Sequence, residues 1–185
     1  MTIITRLFVV GCLSLSFMQL QAQKLSVRTG VALAFDNNLN VPALLSHVTI
    51  ARKIIGPLEG RFHFGALTMF GVNSSNYASY TSLNSSPYTF GDLGIGFRIL
   101  DTKWINWKID AGFGGRLGEQ AYTYYDDGKL RLVEQGINSM GGTFSSHLDI
   151  RLTSRLSLGL DAISQHYWSL FETTGGGISM VFKFD

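Results

Sequence analysis

After residue 23 the chain is a succession of segments in which oily and polar side chains alternate. None of its apolar runs reaches the roughly 20 residues that a membrane-crossing helix needs. In the clearest segment Ile105, Trp107, Ile109, Ala111, Phe113 and Leu117 alternate with Asn106, Lys108, Asp110, Gly112, Gly114 and Arg116. Neighbouring side chains of a strand point to opposite faces, so such a segment is a strand with one oily and one polar face. The end of the chain repeats the pattern, with Ile178, Met180, Phe182 and Phe184 against Ser179, Val181, Lys183 and Asp185.

Eight strands are expected: residues 24–35, 47–55, 58–70, 88–99, 105–117, 139–152, 155–164 and the last stretch of the chain. The second has ambiguous parity, because Val48, Ile50 and Ile54 stand in phase with Arg52. Three connections are short: Gly56-Pro57, residues 100–103 and Thr153-Ser154. The other four, at 36–46, 71–87, 118–135 and 165–173, are longer, and Pro42, Pro57 and Pro87 all fall in connections. Within 118–135, Asp127-Gly128 suits the tip of a hairpin. Alternating short and long connections are the pattern of membrane barrels, with short turns in the periplasm and long loops outside. The expected fold is therefore all-β, an eight-stranded antiparallel up-and-down transmembrane barrel.

A soluble barrel would turn its oily face inward. Here the polar face is rich in Gly, Ala and Ser, which suits the narrow interior of eight strands. Charged residues make up 15% of the chain, below the ~25% usual for soluble domains. Aromatic residues gather near strand ends, as membrane interfaces favour. Trp104, Trp107 and Phe184 fall at one end, and Tyr88, Tyr122, Tyr124, Tyr167 and Trp168 at the other. The lumen is then expected to hold Arg28, Arg61, Arg98, Lys108, Arg116, Arg151 and Lys183 together with Glu59, Asp92, Asp110, Asp149 and Asp161. Both signs are present, so pairing across the interior is expected, and a packed interior argues against a diffusion pore.

Residues 1–23 have one charge, Arg6, an apolar run over 7–20 and Gln21-Ala22-Gln23 after it. They read as a cleaved signal peptide. Residues 24–185 then form one barrel domain. They hold no cysteine, since Cys12 is the sole one, and carry 14 basic residues (15 less Arg6) against 13 acidic. This balance gives no footprint for nucleic acid.

The signal, the eight strands, the loop asymmetry and the Phe182-x-Phe184 ending resemble the small eight-stranded outer-membrane barrels of the OmpA/OmpX type. That resemblance implies the outer membrane of a Gram-negative cell envelope, with lipid and lipopolysaccharide as neighbours. It further implies a barrel-assembly machinery that reads the last strand, and a non-enzymatic role in surface contacts or envelope integrity. An extracellular ligand of the loops is left open.

The alternative is a hydrolase like the outer-membrane lipid A deacylases, which use a Ser, a His and an acid. His166, Ser169 and Glu172 are the nearest match, although a spacing of three sets His and Ser on opposite faces of a strand. Ser145, His147 and Asp149 share a face, but about 6–7 Å separates successive members along the strand, too far for a direct relay. The histidines show no metal-ligand spacing, and no phosphate-binding motif follows Gly175-Gly176-Gly177, so neither metal nor cofactor is expected. The Tyr-bearing stretches 73–80 and 122–129 are candidate contact loops.

Overall fold

The computed structural model describes residues 25–36, 41–69, 80–84, 87–126, 129–168 and 171–184. The signal-peptide segment 1–23, Ser169 and most of the 73–80 stretch lie outside them. Nine strands follow in order: β1 (Leu25–Asp36), β2 (Val41–Ile55), β3 (Leu58–Met69), β4 (Tyr80–Asn84), β5 (Pro87–Asp101), β6 (Ile105–Asp126), β7 (Lys129–Arg151), β8 (Leu156–Tyr167) and β9 (Phe171–Phe184). All pairings are antiparallel, and eight strands close a ring in the order β1-β2-β3-β5-β6-β7-β8-β9. The ring closes where β1 meets β9, from Leu25↔Phe184 to Asp36↔Thr173. The ninth strand, β4, stands outside the ring and pairs with β6 near Tyr122.

The oily face is the outer one. Leu33, Leu93, Phe144 and Ile178 are more than half exposed, whereas Arg28, Asp149 and His147 are at most 2% exposed. β2 resolves its parity in the same sense: Ala43, Leu45, His47, Thr49 and Ala51 are buried inside, and Arg52 goes outward opposite Leu25 near the rim.

Three tight turns share one rim, the short-turn end, with the paired start of β1 and end of β9, Leu25 and Phe184. Gly56 has a φ of 53°, as the first central residue of a two-residue hairpin loop often requires. Thr102 Oγ1 accepts the Ile105 N–H at 3.0 Å, and Thr153 Oγ1 accepts that of Leu156 at 3.0 Å. Side-chain acceptors thus close the other two turns.

At the opposite rim the strands run further than their oily patterns. β6 and β7 remain paired beyond Gly118 through Asp126↔Lys129, so the expected 118–135 loop is a ladder, with the Asp127-Gly128 tip outside the described residues. The β5–β6 ladder stops at Gly118 and the β7–β8 ladder at Gly141. Eight further β6–β7 pairs, Glu119↔Gly136 to Asp126↔Lys129, continue past the ring with β4 alongside β6, a reach of about 27 Å at the strand rise. Polar strands above a membrane still satisfy their backbone by pairing, so hydropathy underestimates their length.

Two prolines also lie in strands rather than in connections. Pro42 pairs with Phe35 and Pro87 with Thr68, but the β2–β3 ladder begins only at Ala43 and the β5–β6 ladder only at Tyr88. Each has a neighbouring strand on one side only, where a missing N–H is tolerated.

The lumen obeys a cross-strand rule: large polar side chains face glycines. Asp149 stands opposite Gly159, Asp161 opposite Gly177, Asp110 opposite Gly96, Arg61 opposite Gly94, and His47 opposite Gly30 and Gly65. A Cβ on Gly159 would meet Arg28 Nη1, Ser179 Oγ and Asp149 Oδ1, whereas one on Gly136 would meet nothing. Gly159→Ala is expected to lower unfolding stability by about 1–3 kcal/mol through overpacking, and Gly136→Ala to leave it within about 0.5 kcal/mol. Urea unfolding of the two variants in detergent micelles checks this difference.

Candidate functional site

Closing eight strands leaves room for side chains but not for bulk water, so inward charges must satisfy one another. Arg28, on β1, sits at the centre. Its Nη2 donates to Asp149 Oδ1 at 2.6 Å, and its Nη1 donates to Asp161 Oδ1 at 2.6 Å and to Ser179 Oγ at 2.7 Å. His147 Nδ1 lies 2.7 Å from Asp161 Oδ1, and its Nε2 lies 3.0 Å from both Asp110 Oδ2 and Ser145 Oγ. His47 Nε2 is 3.4 Å from Asp161 Oδ2.

Toward the hairpin end, Arg61 reaches Asp92 at 3.0 Å and donates to Thr143 Oγ1 at 2.8 Å, while His63 Nδ1 lies 3.0 Å from Asp92. Toward the short-turn end, Lys108 is 3.5 Å from Glu59, Arg98 pairs with Glu59 and Asp101, and Arg151 pairs with Asp101. Every charged residue expected in the lumen faces it. Arg98, Arg151 and Lys183 are only half-buried, at the short-turn mouth.

Ser145 and His147 correct the distance argument. Their side chains lean together across the backbone interval and meet at 3.0 Å. The carboxylate on the other ring nitrogen is Asp161, the cross-strand partner of His147, rather than Asp149. A Ser-His-Asp arrangement therefore exists, but all three are under 9% exposed and Asp161 also holds Arg28. The group has no room for a substrate and acts as part of the packing. Parity alone puts His147 and Asp161 on the same face; only register brings them together.

Above the ionic layers the lumen turns apolar. Ala32, Leu45, Leu67, Met69, Phe90 and Ile163 form a buried cluster that Tyr88 and Tyr167 join. The sequence places these two tyrosines in the interfacial belt; they are instead inside, with ring centroids 4.0 and 5.3 Å from the Arg116 guanidinium carbon. The pleat sets their direction, since Tyr88 is in phase with Asp92 and Tyr167 with Asp161, and a desolvated guanidinium against an aromatic face gains about 2 kcal/mol there. Trp107, Trp168 and Phe184 are exposed on the outer side, and Trp104 is exposed at the short-turn rim, where it also lines the mouth. For Tyr122 and Tyr124 the structure describes only the backbone, in the projecting part of β6.

Of the suggested hydrolase residues, the structure describes the His166 side chain and the backbone of Glu172. His166 is exposed on the outer face near the end of β8, while Ser169 lies outside the described residues. The serine that meets His166 is Ser164, whose Oγ lies 2.9 Å from His166 Nε2. The backbone of Glu172 is opposite His166 in the β8–β9 ladder. Residues two apart share a face, which is why Ser164 reaches the imidazole. No cluster of metal-ligating side chains occurs among the described residues.

The fold is that of the small eight-stranded outer-membrane barrels. Among solved structures, a major outer membrane protein of Thermus thermophilus matches with a TM-score of 0.63 at 12% identity, covering 89% of this chain and 100% of that one. Neisserial surface protein A matches with a TM-score of 0.59 at 8% identity over 88% of this chain and 97% of that one. The attachment invasion locus protein Ail of Yersinia pestis matches with a TM-score of 0.58 at 10% identity over 89% and 100%. No family model and no curated protein matches by sequence.

Arg28→Met removes the cation shared by Asp149 and Asp161. Leaving buried carboxylates without their partner is expected to cost about 3–5 kcal/mol, read as a lower urea midpoint in micelles. An unchanged midpoint would contradict the pairing.

Proposed function

We propose that this chain is a non-conducting barrel of the Gram-negative outer membrane that presents a long hairpin at the cell surface for contacts with other molecules. The observation that carries this reading is the β6–β7 ladder, which continues for eight pairs past the barrel wall and is joined by β4. The short-turn end, with the start of β1 and the end of β9, then faces the periplasm, as in membrane barrels generally. The outer wall meets lipid and lipopolysaccharide, and the aromatic last strand serves the assembly machinery. Two of the similar structures bear names of surface proteins, one an attachment locus. The apolar plug and ion-paired layers occupy the lumen, which supports a structural interior rather than a pore.

Intact-cell proteolysis tests the orientation. Trypsin is expected to cut at Lys129 or Arg131 in whole cells and to leave the barrel core intact. Protection of these sites until the envelope is broken would contradict the reading. In planar bilayers the purified barrel is expected to give no stepwise ion current.

A second reading has one observation in its favour. The Ser164–His166 contact places a hydroxyl beside an imidazole on the lipid-facing wall, with Glu172 in register. A nucleophile and its base in hydrogen-bond reach are the minimum for acyl-ester cleavage. Mass spectrometry of lipid acyl chains from cells with wild-type protein and with Ser164→Ala decides this reading: it requires a shortened acyl pattern that the variant abolishes.

A further inference from the structure

The short-turn mouth opens into a cavity of about 700 Å3, within the ~300–1,000 Å3 of small-ligand pockets. Its walls carry six cations, Lys53, Arg98, Lys103, Lys108, Arg151 and Lys183, against three carboxylates, Glu59, Asp101 and Asp149. The carboxylates are already engaged. Glu59 takes Arg98 and Lys108, Asp101 takes Arg98 and Arg151, and Asp149 is held from deeper in the lumen by Arg28 at 2.6 Å and Asn106 at 3.0 Å.

Among the described residues positive charge is therefore in surplus. Lys53 and Lys183 make no ion pair among the described residues, and Lys103 Nζ sits 5.2 Å from the centroid of the Trp104 ring. The Nε groups of Arg98 and Arg151 are buried and find no acceptor among the described residues. Low-dielectric walls around charges of one sign focus the field into a cleft. The Arg28 layer closes the way inward, so an anion entering the mouth stops there.

We propose that this vestibule binds a compact polyanion bearing phosphate groups, about the size of a di- or triphosphate. Guanidinium forks and clustered ammonium groups match phosphate oxygens, and a surplus of three positive charges calls for several negative ones. The outer-membrane reading determines only that the periplasm supplies the ligand; the binding itself is measured in micelles and stands or falls separately.

The test is calorimetric titration of the mature chain, folded in zwitterionic detergent micelles at low salt, with inorganic tripolyphosphate. One saturable site is expected. Lys53→Ala with Lys183→Ala should weaken it by about tenfold or more, since two unpaired cations of the cleft are lost. Lys129→Ala with Arg131→Ala removes as many charges from the opposite end and should change affinity less than about twofold. Each variant is first checked for the heat-dependent gel shift of a folded barrel. Three results overturn the proposal: no saturable binding, equal weakening in both double variants, or an association seen only with vesicles of anionic phospholipid and not with tripolyphosphate.

Discussion

The pairing of β1 with β9 is the constraint on which everything else depends. Lipid has no donors or acceptors, so a strand with an open edge cannot remain in it. Twelve residue pairs, Leu25↔Phe184 through Asp36↔Thr173, remove the last two edges of the sheet. Once the ring is closed, the pleat does the sorting. Every second side chain must enter a narrow lumen and every other one must face the surroundings. Around the ionic layers oily residues can then only be outside, because the lumen there is claimed by Arg28, Asp161 and their partners.

The lumen has its own logic. Burying an ion is costly unless its partner and its remaining hydrogen bonds come with it. Asp161 illustrates the solution, taking Arg28, His147 and His47 at once. Such a cluster needs space that a side chain would take: a Cβ on Gly159 would meet Arg28, Ser179 and Asp149, while one on Gly177 would meet the β1 backbone at Val31 and Ala32. The two ends then differ in kind. The hairpin end is packed with Leu45, Leu67, Met69 and the tyrosines around Arg116, while the short-turn end opens into a cavity lined mostly by cations and polar groups.

Much of this is legible in the sequence. The alternation at Ile105–Leu117 carries both the strand and its orientation, and the charged lumen set follows from parity alone. Parity is a one-strand property, however, and the features it misses need two strands. Asp161 rather than Asp149 serves His147 because register sets them opposite. Parity does place Tyr88 and Tyr167 inside, in phase with Asp92 and Asp161; what needs other strands is the Arg116 guanidinium against their rings. The Ser164–His166 contact, by contrast, joins same-face neighbours of one strand. The extension of β6 and β7 is hidden for a different reason: outside a membrane a ladder needs no oily face, so the hydrophobic pattern ends before the strand does.

The central claim is that the oily face looks outward into acyl chains. Trp107 reports on it directly, being on that face with its indole N–H 3.0 Å from Ser146 Oγ. With Trp104 and Trp168 replaced by Phe, the Trp107 fluorescence of the folded barrel in vesicles should be quenched by lipids brominated along their acyl chains and shielded from aqueous iodide. Quenching by iodide with no response to brominated lipid would contradict the account.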